Sequence, residues 1–255
     1  TWCLVGSEMC IRDRYMTTNR MKLFLDTADV ETVSQFWSTG LIDGLTTNPT
    51  LMMKAGKLPD KVYYDLKHLG IKDISMEVVA DTSEGMLAEA SRLISLFGSV
   101  VTIKVPCTPE GLKACKEMSN QNIRVNVTLI FSAAQAILAA KAGATYVSPF
   151  VGRVDDNSFD GIGLIKEIAT IFERQYVHET EILSASLRNV KDVSRSFAAG
   201  AHICTIPPKV FEAMYQHVLT DKGLELFDEA WATVTSLSQG VLTDPEENVM
   251  INTIT

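Results

Sequence analysis

The stretch VVTIKVP at residues 100–106 carries one lysine inside a run of apolar and β-branched residues. Such a run is typical of a buried β-strand. Alternation along the strand puts Thr102, Lys104 and Pro106 on one face and Val101, Ile103 and Val105 on the other. A charged amine on a buried face loses hydration, so it must be paired or give up its proton. Lys104 is therefore either a strand-end lysine that reaches solvent or a nucleophile that forms a Schiff base with a carbonyl compound.

The pattern around this strand repeats from Met21 onward, as a short apolar strand, a turn and an amphipathic helix. The predicted strands are 22–26, 44–47, 74–80, 100–106, 125–130, 146–150, 181–185 and 202–206. The predicted helices are 30–38, 60–69, 84–97, 109–119, 133–142, 163–174, 190–199, 209–217 and 223–238. Ser83 is the predicted cap of helix 84–97, Asn48-Pro49 is predicted to stop regular structure after the second strand, and the polar segment 151–160 is predicted to be a loop. Such units at a spacing of about 25 residues predict an α/β fold, a parallel (β/α)8 TIM barrel with an extra C-terminal helix. A doubly wound open sheet, which often has a glycine-rich first turn, is the alternative.

Three regions follow from this pattern. Residues 1–20 lack the apolar segment and cleavage site of a signal peptide, and we predict that they are a non-native leader. Residues 21–220 form the predicted barrel. Residues 221–255 hold the extra helix and a tail, and this helix packs either on the barrel or on a neighbouring subunit.

Composition narrows the classes of function. The formal net charge of -8 argues against a nucleic-acid surface, and no apolar run reaches the length of about 20 residues that spans a bilayer. The five cysteines form no CxxC pair, which fits reduced thiols in the cytoplasm. The four histidines show no metal-binding spacing, so we predict no metal site and no cofactor.

Polar side chains collect at the carboxyl ends of the predicted strands, where a TIM barrel carries its working residues. In the fifth strand Asn126 and Thr128 share a face, opposite the valines. Glu77 lies within the third strand, and a buried carboxylate needs a partner such as an interior lysine. The other polar residues at this end are Asp26, Thr46, Asn48, Ser148, Arg153, Ser186 and Arg188.

Each of these residues also has a structural explanation when taken alone. Asp26 could cap the helix that follows it, and Asn126 could satisfy buried backbone groups. Arg153 and Arg188 could be solvated surface charges. The coincidence of lysine, carboxylates, amides, hydroxyls and arginines at one predicted barrel end favours a functional site.

Seven motifs resemble, in the same order, those of the transaldolase family. They are LFLDTAD (23–29), GLTTNPTL (44–51), ISMEVV (74–79), TIKVPCT (102–108), VNVTLIFSAAQ (125–135), YVSPFVGR (146–153) and SASLRN (184–189). The resemblance extends from residue 21 to about residue 231. It is closest to the short subfamily shared with fructose-6-phosphate aldolases, which includes forms from bacteria and cyanobacterial phages.

The resemblance implies a class I aldol mechanism. Lys104 would be the Schiff-base lysine, Asp26 the general base on the C4 hydroxyl, and Glu77 and Thr128 the holders of a proton-shuttling water. The resemblance also implies the binding residues. Asn48 and Asn126 would hold the three-carbon enamine, Thr46, Ser148 and Phe150 would shape the pocket, and Arg153, Ser186 and Arg188 would bind the sugar phosphate.

The family setting implies a cytoplasmic transferase of the pentose phosphate pathway, in the host cytoplasm if a phage encodes it. It also implies a homo-oligomer, a pentamer or decamer, and sugar-phosphate substrates without nucleic acid or membrane. Fructose-6-phosphate aldolases resemble the chain too, but they typically carry glutamine at the position of Glu77 and tyrosine at that of Phe150. A non-catalytic sugar-phosphate-binding barrel is the alternative from another class.

Overall fold

The computed structural model describes residues 21–241, with side chains through residue 236. The predicted leader, residues 1–20, and the end of the tail, residues 242–255, lie outside the described residues. Within the described part a compact unit ends at Phe211, and a second unit begins at Glu212.

Eight parallel strands form a closed barrel in chain order, so the TIM-barrel prediction is confirmed and the open-sheet alternative is excluded. The strands are β1 (Lys22–Asp26), β2 (Gly44–Thr46), β3 (Ile74–Glu77), β4 (Val101–Pro106), β5 (Val125–Ile130), β6 (Tyr146–Pro149), β7 (Glu181–Ser184) and β8 (Ile203–Ile206). Closure is made by β1 and β8, which pair in parallel with Leu23 opposite Cys204.

Helices follow the strands along the chain. They are α1 (Val30–Trp37), α2 (Pro49–Ala55), α3 (Pro59–His68), α4 (Ser83–Phe97), α5 (Pro109–Asn120), α6 (Ala133–Lys141), α7 (Val151–Asp156), α8 (Gly161–Arg174), α9 (Val190–Ala198), α10 (Pro208–Ala213) and α11 (Val218–Val241). Side-chain caps explain several starts: Thr82, not the predicted Ser83, caps α4, and Thr108 caps α5 with Pro109 in the first turn.

Two helices contradict the sequence prediction. The prediction that Asn48-Pro49 stops regular structure is wrong. The pair begins α2, because proline fits the first helical turn and the Asn48 Oδ1 atom accepts from the Leu51 amide at 3.0 Å. The prediction of a loop over 151–160 is wrong in its first part, which folds as α7. The third strand ends at Glu77 and not at residue 80.

Two apolar clusters hold the barrel. The larger lies between the sheet and the helices and includes Leu25, Ile103 and Val127, all fully buried. The smaller cluster comprises Phe24, Tyr146, Leu183, Ala185 and Ile203. Strand alternation separates the two sets, since Phe24 and Leu25 are neighbours that belong to different clusters.

A polar cluster lies toward the amino ends of the strands, around Asp73. The Asp73 carboxylate accepts hydrogen bonds from Thr102 Oγ1, Arg124 Nη1 and Tyr146 Oη, each at 2.7 Å. Burial raises the pKa of Asp73, while Arg124 and the two hydroxyl donors lower it. We name this set the amino-end cluster.

The second unit contains α11, which is longer than the predicted helix 223–238. No helix of the described chain, residues 21–241, combines the length and apolar character needed to cross a lipid bilayer.

Candidate active site

A cavity of about 100 Å³ opens at the carboxyl ends of the strands. The predicted site residues that line it are Asp26, Thr46, Asn48, Lys104, Thr128, Ser148, Phe150, Arg153 and Ser186. Leu183, Ala185 and Thr205 complete the lining, and the sequence analysis assigned none of them to the site. The barrel thus has a polar cavity where parallel barrels carry their functional residues.

Lys104 is 5% exposed and forms an ion pair with Glu77. The register of β3 and β4 sets the two residues side by side, and Lys104 Nζ lies 2.9 Å from Glu77 Oε2. The same Nζ atom donates to the Thr47 carbonyl oxygen at 3.0 Å. Because the ammonium group is buried and paired, the alternative of a lysine that reaches solvent is wrong.

Asp26 ends β1 and faces the same cavity, where it accepts from Thr46 Oγ1 at 2.8 Å. Burial raises the pKa of Asp26, and Lys104 and the Thr46 hydrogen bond partly offset this rise. The cap of α1 is Asp29, so the interpretation of Asp26 as a helix cap is wrong.

Thr205 on β8 extends this hydrogen-bond chain. Its Oγ1 atom lies 2.6 Å from Thr46 Oγ1. Because the single hydroxyl proton of Thr46 goes to the Asp26 carboxylate, Thr205 is the donor to Thr46. The hydrogen-bond chain from Thr205 through Thr46 to Asp26 therefore orients the carboxylate of β1 with residues from β2 and β8, the two strands that flank it.

A backbone irregularity shapes the site at Thr128. Leu129 has φ 59°, a left-handed conformation uncommon for leucine, and the register between β5 and β6 shifts between Val127 and Ile130. Thr128 is 1% exposed and lines the cavity, but its Oγ1 atom has no hydrogen-bond partner among the described residues. An unpaired buried hydroxyl at a cavity is a binding group for a water or a substrate atom.

Asn126 lies in the barrel interior and is not part of the cavity lining. Its Nδ2 atom donates to Ser75 Oγ at 3.1 Å, and its Oδ1 atom accepts from Ser148 Oγ at 2.6 Å. Ser148 lines the cavity and therefore links Asn126 to it.

Two arginines approach the rim from β6 and β7. Arg153 on α7 is exposed, and its guanidinium lies 4.9 Å from the centre of the Phe150 ring. Arg188 follows β7, does not line the cavity and donates to Asp156 Oδ2 at 2.6 Å.

Gly152 lets these two segments interlock. Its amide donates to the Ser186 carbonyl at 3.1 Å. A Cβ atom at residue 152 would lie 2.1 Å from that carbonyl oxygen and 2.6 Å from Arg188 Nε. Ser186 itself has φ 59°, a second left-handed residue at the site.

A second cavity, of about 420 Å³, lies beside the first. Asn48 lines both cavities, while Glu77, Tyr63 and Arg92 line the second. Among residues 21–241 no group of three or more histidine, cysteine or acidic side chains is arranged to hold a metal ion.

Comparison with known proteins agrees with the resemblance in the motifs. Residues 23–248 match the model of the family described as transaldolase/fructose-6-phosphate aldolase. The chain is 48% identical over 213 residues to a probable transaldolase of Caulobacter vibrioides, covering 84% of this chain and 97% of that protein. It is 50% identical over 212 residues to a probable transaldolase of Novosphingobium aromaticivorans, covering 83% and 97%.

Solved structures give likeness of fold alone. A mandelate oxidase mutant with a monooxide FMN adduct aligns with a TM-score of 0.53 at 14% identity, covering 74% of this chain and 65% of that one. A flavocytochrome b2 mutant with bound pyruvate aligns with a TM-score of 0.55 at 12% identity, covering 74% and 57%. The family match spans most of the sequence and includes every residue of the cavity lining, and the chain therefore belongs to the transaldolase/fructose-6-phosphate aldolase family.

Proposed function

We propose that the chain is a transaldolase that transfers a dihydroxyacetone unit through a Schiff base on Lys104. The observation that carries the proposal is the ion pair between the buried Lys104 and Glu77. Lys104 lines a cavity, and Asp26 lines the same cavity. A lysine nucleophile needs a neighbour that takes its proton, and Glu77 Oε2 at 2.9 Å from Nζ is in position to do so.

The first half of the reaction forms an imine. The unprotonated Lys104 Nζ attacks the C2 carbonyl of a ketose phosphate, and the resulting carbinolamine loses its hydroxyl group as water. Glu77 supplies the proton for that departure, and the unpaired Thr128 hydroxyl binds the water. Hydrolysis at the end of the cycle follows the same steps in reverse.

The second half moves the carbon unit. Asp26 takes the proton of the C4 hydroxyl, the C3–C4 bond breaks, and its electron pair passes into the imine to give an enamine while an aldose phosphate leaves. The raised pKa of Asp26 suits a carboxylate that takes up and returns a proton. The enamine then attacks the aldehyde of a second aldose phosphate, and the new bond reverses these proton transfers.

The proposed donors are fructose 6-phosphate and sedoheptulose 7-phosphate, and the proposed acceptors are erythrose 4-phosphate and glyceraldehyde 3-phosphate. Arg153 and Ser186 at the rim would bind the phosphate, and Arg188 would join them after leaving Asp156. These substrates put the enzyme in the pentose phosphate pathway.

Borohydride trapping tests the proposal. The protein is incubated with fructose 6-phosphate at pH 7–8, reduced with sodium borohydride and digested for mass spectrometry. We expect a dihydroxyacetone adduct on the peptide that carries Lys104. Absence of the adduct from folded protein would contradict the Schiff-base mechanism and would favour the non-catalytic sugar-phosphate-binding barrel.

A fructose-6-phosphate aldolase is the second candidate, and product analysis separates it from a transaldolase. Phe150 contacts Phe131 and Arg153 and offers no hydroxyl group at the cavity. The aldolases that resemble this chain typically carry a tyrosine at this position. The phenylalanine therefore favours transfer of the dihydroxyacetone unit over its release as free dihydroxyacetone. We expect glyceraldehyde 3-phosphate to accumulate from fructose 6-phosphate only when erythrose 4-phosphate is added.

We further propose a cytoplasmic homo-oligomer, a pentamer or decamer. The second unit supports this, because Phe227 and Trp231 on α11 are large exposed aromatic side chains. Light scattering coupled to size-exclusion chromatography measures the mass, and a monomer at micromolar concentration would refute the oligomer.

A further inference from the structure

Tyr63 lies on α3, away from the strand ends that carry the proposed catalytic residues. It is 5% exposed, and its ring packs edge-on against Phe97 with 5.7 Å between centroids. This packing would suit any aromatic residue. The hydroxyl group, however, leaves the helix and lies 3.1 Å from Thr47 Oγ1 at the end of β2.

The direction of that hydrogen bond follows from the proton count. Thr47 Oγ1 lies 2.8 Å from the Ser75 carbonyl oxygen, which can only accept. The one hydroxyl proton of Thr47 is therefore used, and Tyr63 must donate to Thr47. Burial raises the pKa of Tyr63 to about 12, so the hydroxyl keeps its proton throughout the neutral range.

Thr47 connects this donor to the reactive lysine. The Thr47 carbonyl oxygen is the acceptor 3.0 Å from Lys104 Nζ, and the Thr47 amide donates to Ser75 at 3.1 Å. Within the described part of the chain, this carbonyl and the Glu77 carboxylate are the two protein groups that hold Lys104 Nζ.

Tyr63 also lies near the second of these groups. Tyr63 and Glu77 line the same cavity of about 420 Å³. The contact of the Tyr63 hydroxyl with the lysine site runs through Thr47, whose Oγ1 atom it meets at 3.1 Å.

We infer that the Tyr63 hydroxyl, through Thr47, is a positioning group that holds Lys104 in line for attack on the substrate carbonyl. The inference rests on the proposed Schiff-base function and deepens it. Tyr63 does not line the cavity of about 100 Å³ that Lys104 and Asp26 line, so we assign it as a positioning residue and not a catalytic one.

Tyr63→Phe tests the inference, because it removes the hydroxyl and keeps the ring against Phe97. The matched control is Tyr64→Phe on the same helix, since Tyr64 is 53% exposed. Each protein is mixed with fructose 6-phosphate, quenched with borohydride at a series of times, and analysed for the Lys104 adduct. The KM for fructose 6-phosphate, the inhibition constant for inorganic phosphate and the melting temperature are measured beside it.

We expect the adduct to form about fivefold more slowly in Tyr63→Phe, since one lost hydrogen bond is worth roughly 1 kcal/mol, which is about fivefold in rate. KM and phosphate inhibition stay within about twofold, and Tyr64→Phe matches the wild type. Thr47→Val should slow the same step, and the double variant should be no slower than the worse single variant, because both remove one chain of contacts.

Each other result overturns the inference. A wild-type trapping rate in Tyr63→Phe shows that the hydroxyl does not position the lysine. A parallel loss of trapping, phosphate binding and melting temperature shows general loosening of the barrel. Additive effects in the double variant show that Tyr63 and Thr47 act on the lysine independently. Wild-type protein that forms no adduct removes the Schiff-base function itself, a failure distinct from the first three.

Discussion

The barrel has an aspartate near each of its ends, and the two aspartates differ in the number of their hydrogen-bond donors. In the amino-end cluster three donors contact Asp73, at 2.7 Å each. At the carboxyl end Asp26 receives one side-chain hydrogen bond among the described residues, from Thr46, and faces a cavity. Burial raises the pKa of both carboxyl groups. The same strand serves both ends, since Thr102 donates to Asp73 and Lys104, two residues later, pairs with Glu77.

The difference lies in the hydrogen-bonding capacity that each end leaves unused. The donors of the amino-end cluster are used in hydrogen bonds to Asp73, which is typical of a structural hydrogen-bond network. The carboxyl end leaves the Thr128 hydroxyl without a partner among the described residues. Burial alone therefore does not mark a reactive carboxylate, whereas burial beside unused polar groups and a cavity does.

Removing the lysine of the carboxyl end gives the largest expected effect. Lys104→Met should lower turnover at least about 10³-fold and abolish the borohydride adduct, because no other lysine of the described residues lines the cavity. Lys22→Met is the matched control, since Lys22 pairs with Glu181 at 2.7 Å and lines no part of the cavity. It should keep wild-type turnover, and residual Lys104→Met activity within tenfold of wild type would contradict the assignment.

Removing the aspartate of the amino end should affect stability instead. Asp73→Ala removes the acceptor of Thr102 Oγ1, Tyr146 Oη and Arg124 Nη1, which we expect to cost about 3 kcal/mol in urea unfolding. Turnover per folded molecule should stay within about twofold at low temperature. A selective loss of turnover in a fully folded variant would make the amino-end cluster part of the site.

The two ends can be compared by removing one threonine hydroxyl group from each. Thr128→Val should lower kcat about tenfold without loss of stability, because the hydroxyl it removes has no hydrogen-bond partner within the part of the chain that the structure describes. Thr102→Val should leave kcat unchanged and destabilise the fold by about 1–2 kcal/mol, since it breaks the bond to Asp73. Kinetics and urea unfolding on both variants check this, and equal stability losses would remove the contrast.

The smallest expected effect is a shift in pH dependence. The Thr46 hydrogen bond lowers the pKa of Asp26, so Thr46→Val should raise that pKa further. A general base must be unprotonated, and the acid limb of kcat/KM should therefore move to higher pH. Thr205→Val removes the more distant donor and should move the limb less. Movement of the limb to lower pH would contradict the role of Asp26 as the base.

The barrel and its inward faces could be predicted because strand alternation is a local property of sequence. Lys104 and Thr102 occupy the face that their spacing predicts, and proline and capping residues punctuate the helices. Pro49 misled the prediction because the same residue that stops one element fits the first turn of another. Thr205 could have been found by extending the alternation to β8, where it lies between outward-facing Cys204 and Ile206 in sequence.

The rest of the site depends on tertiary contacts that leave no local signal. The left-handed Leu129 that accompanies the bulge in β5 has the side chain of an ordinary strand residue, so nothing in the sequence marks it. Tyr63 has the helical spacing of a core residue, and its link to Lys104 appears only when α3 lies over the end of β2. The side-by-side register of Glu77 and Lys104 needed the closed barrel as well.

Gly152 has a consequence for attempts to redesign the enzyme for other substrates. The missing side chain at this position lets the segment that carries Arg153 close against the loop that carries Arg188. A single added methyl group would push the Ser186 carbonyl and the Arg188 side chain away while every charged residue remained in the sequence. Tolerance for phosphate-free sugars could therefore be sought by separating the two arginines that we propose as phosphate ligands, at a neutral position and without deleting either charge.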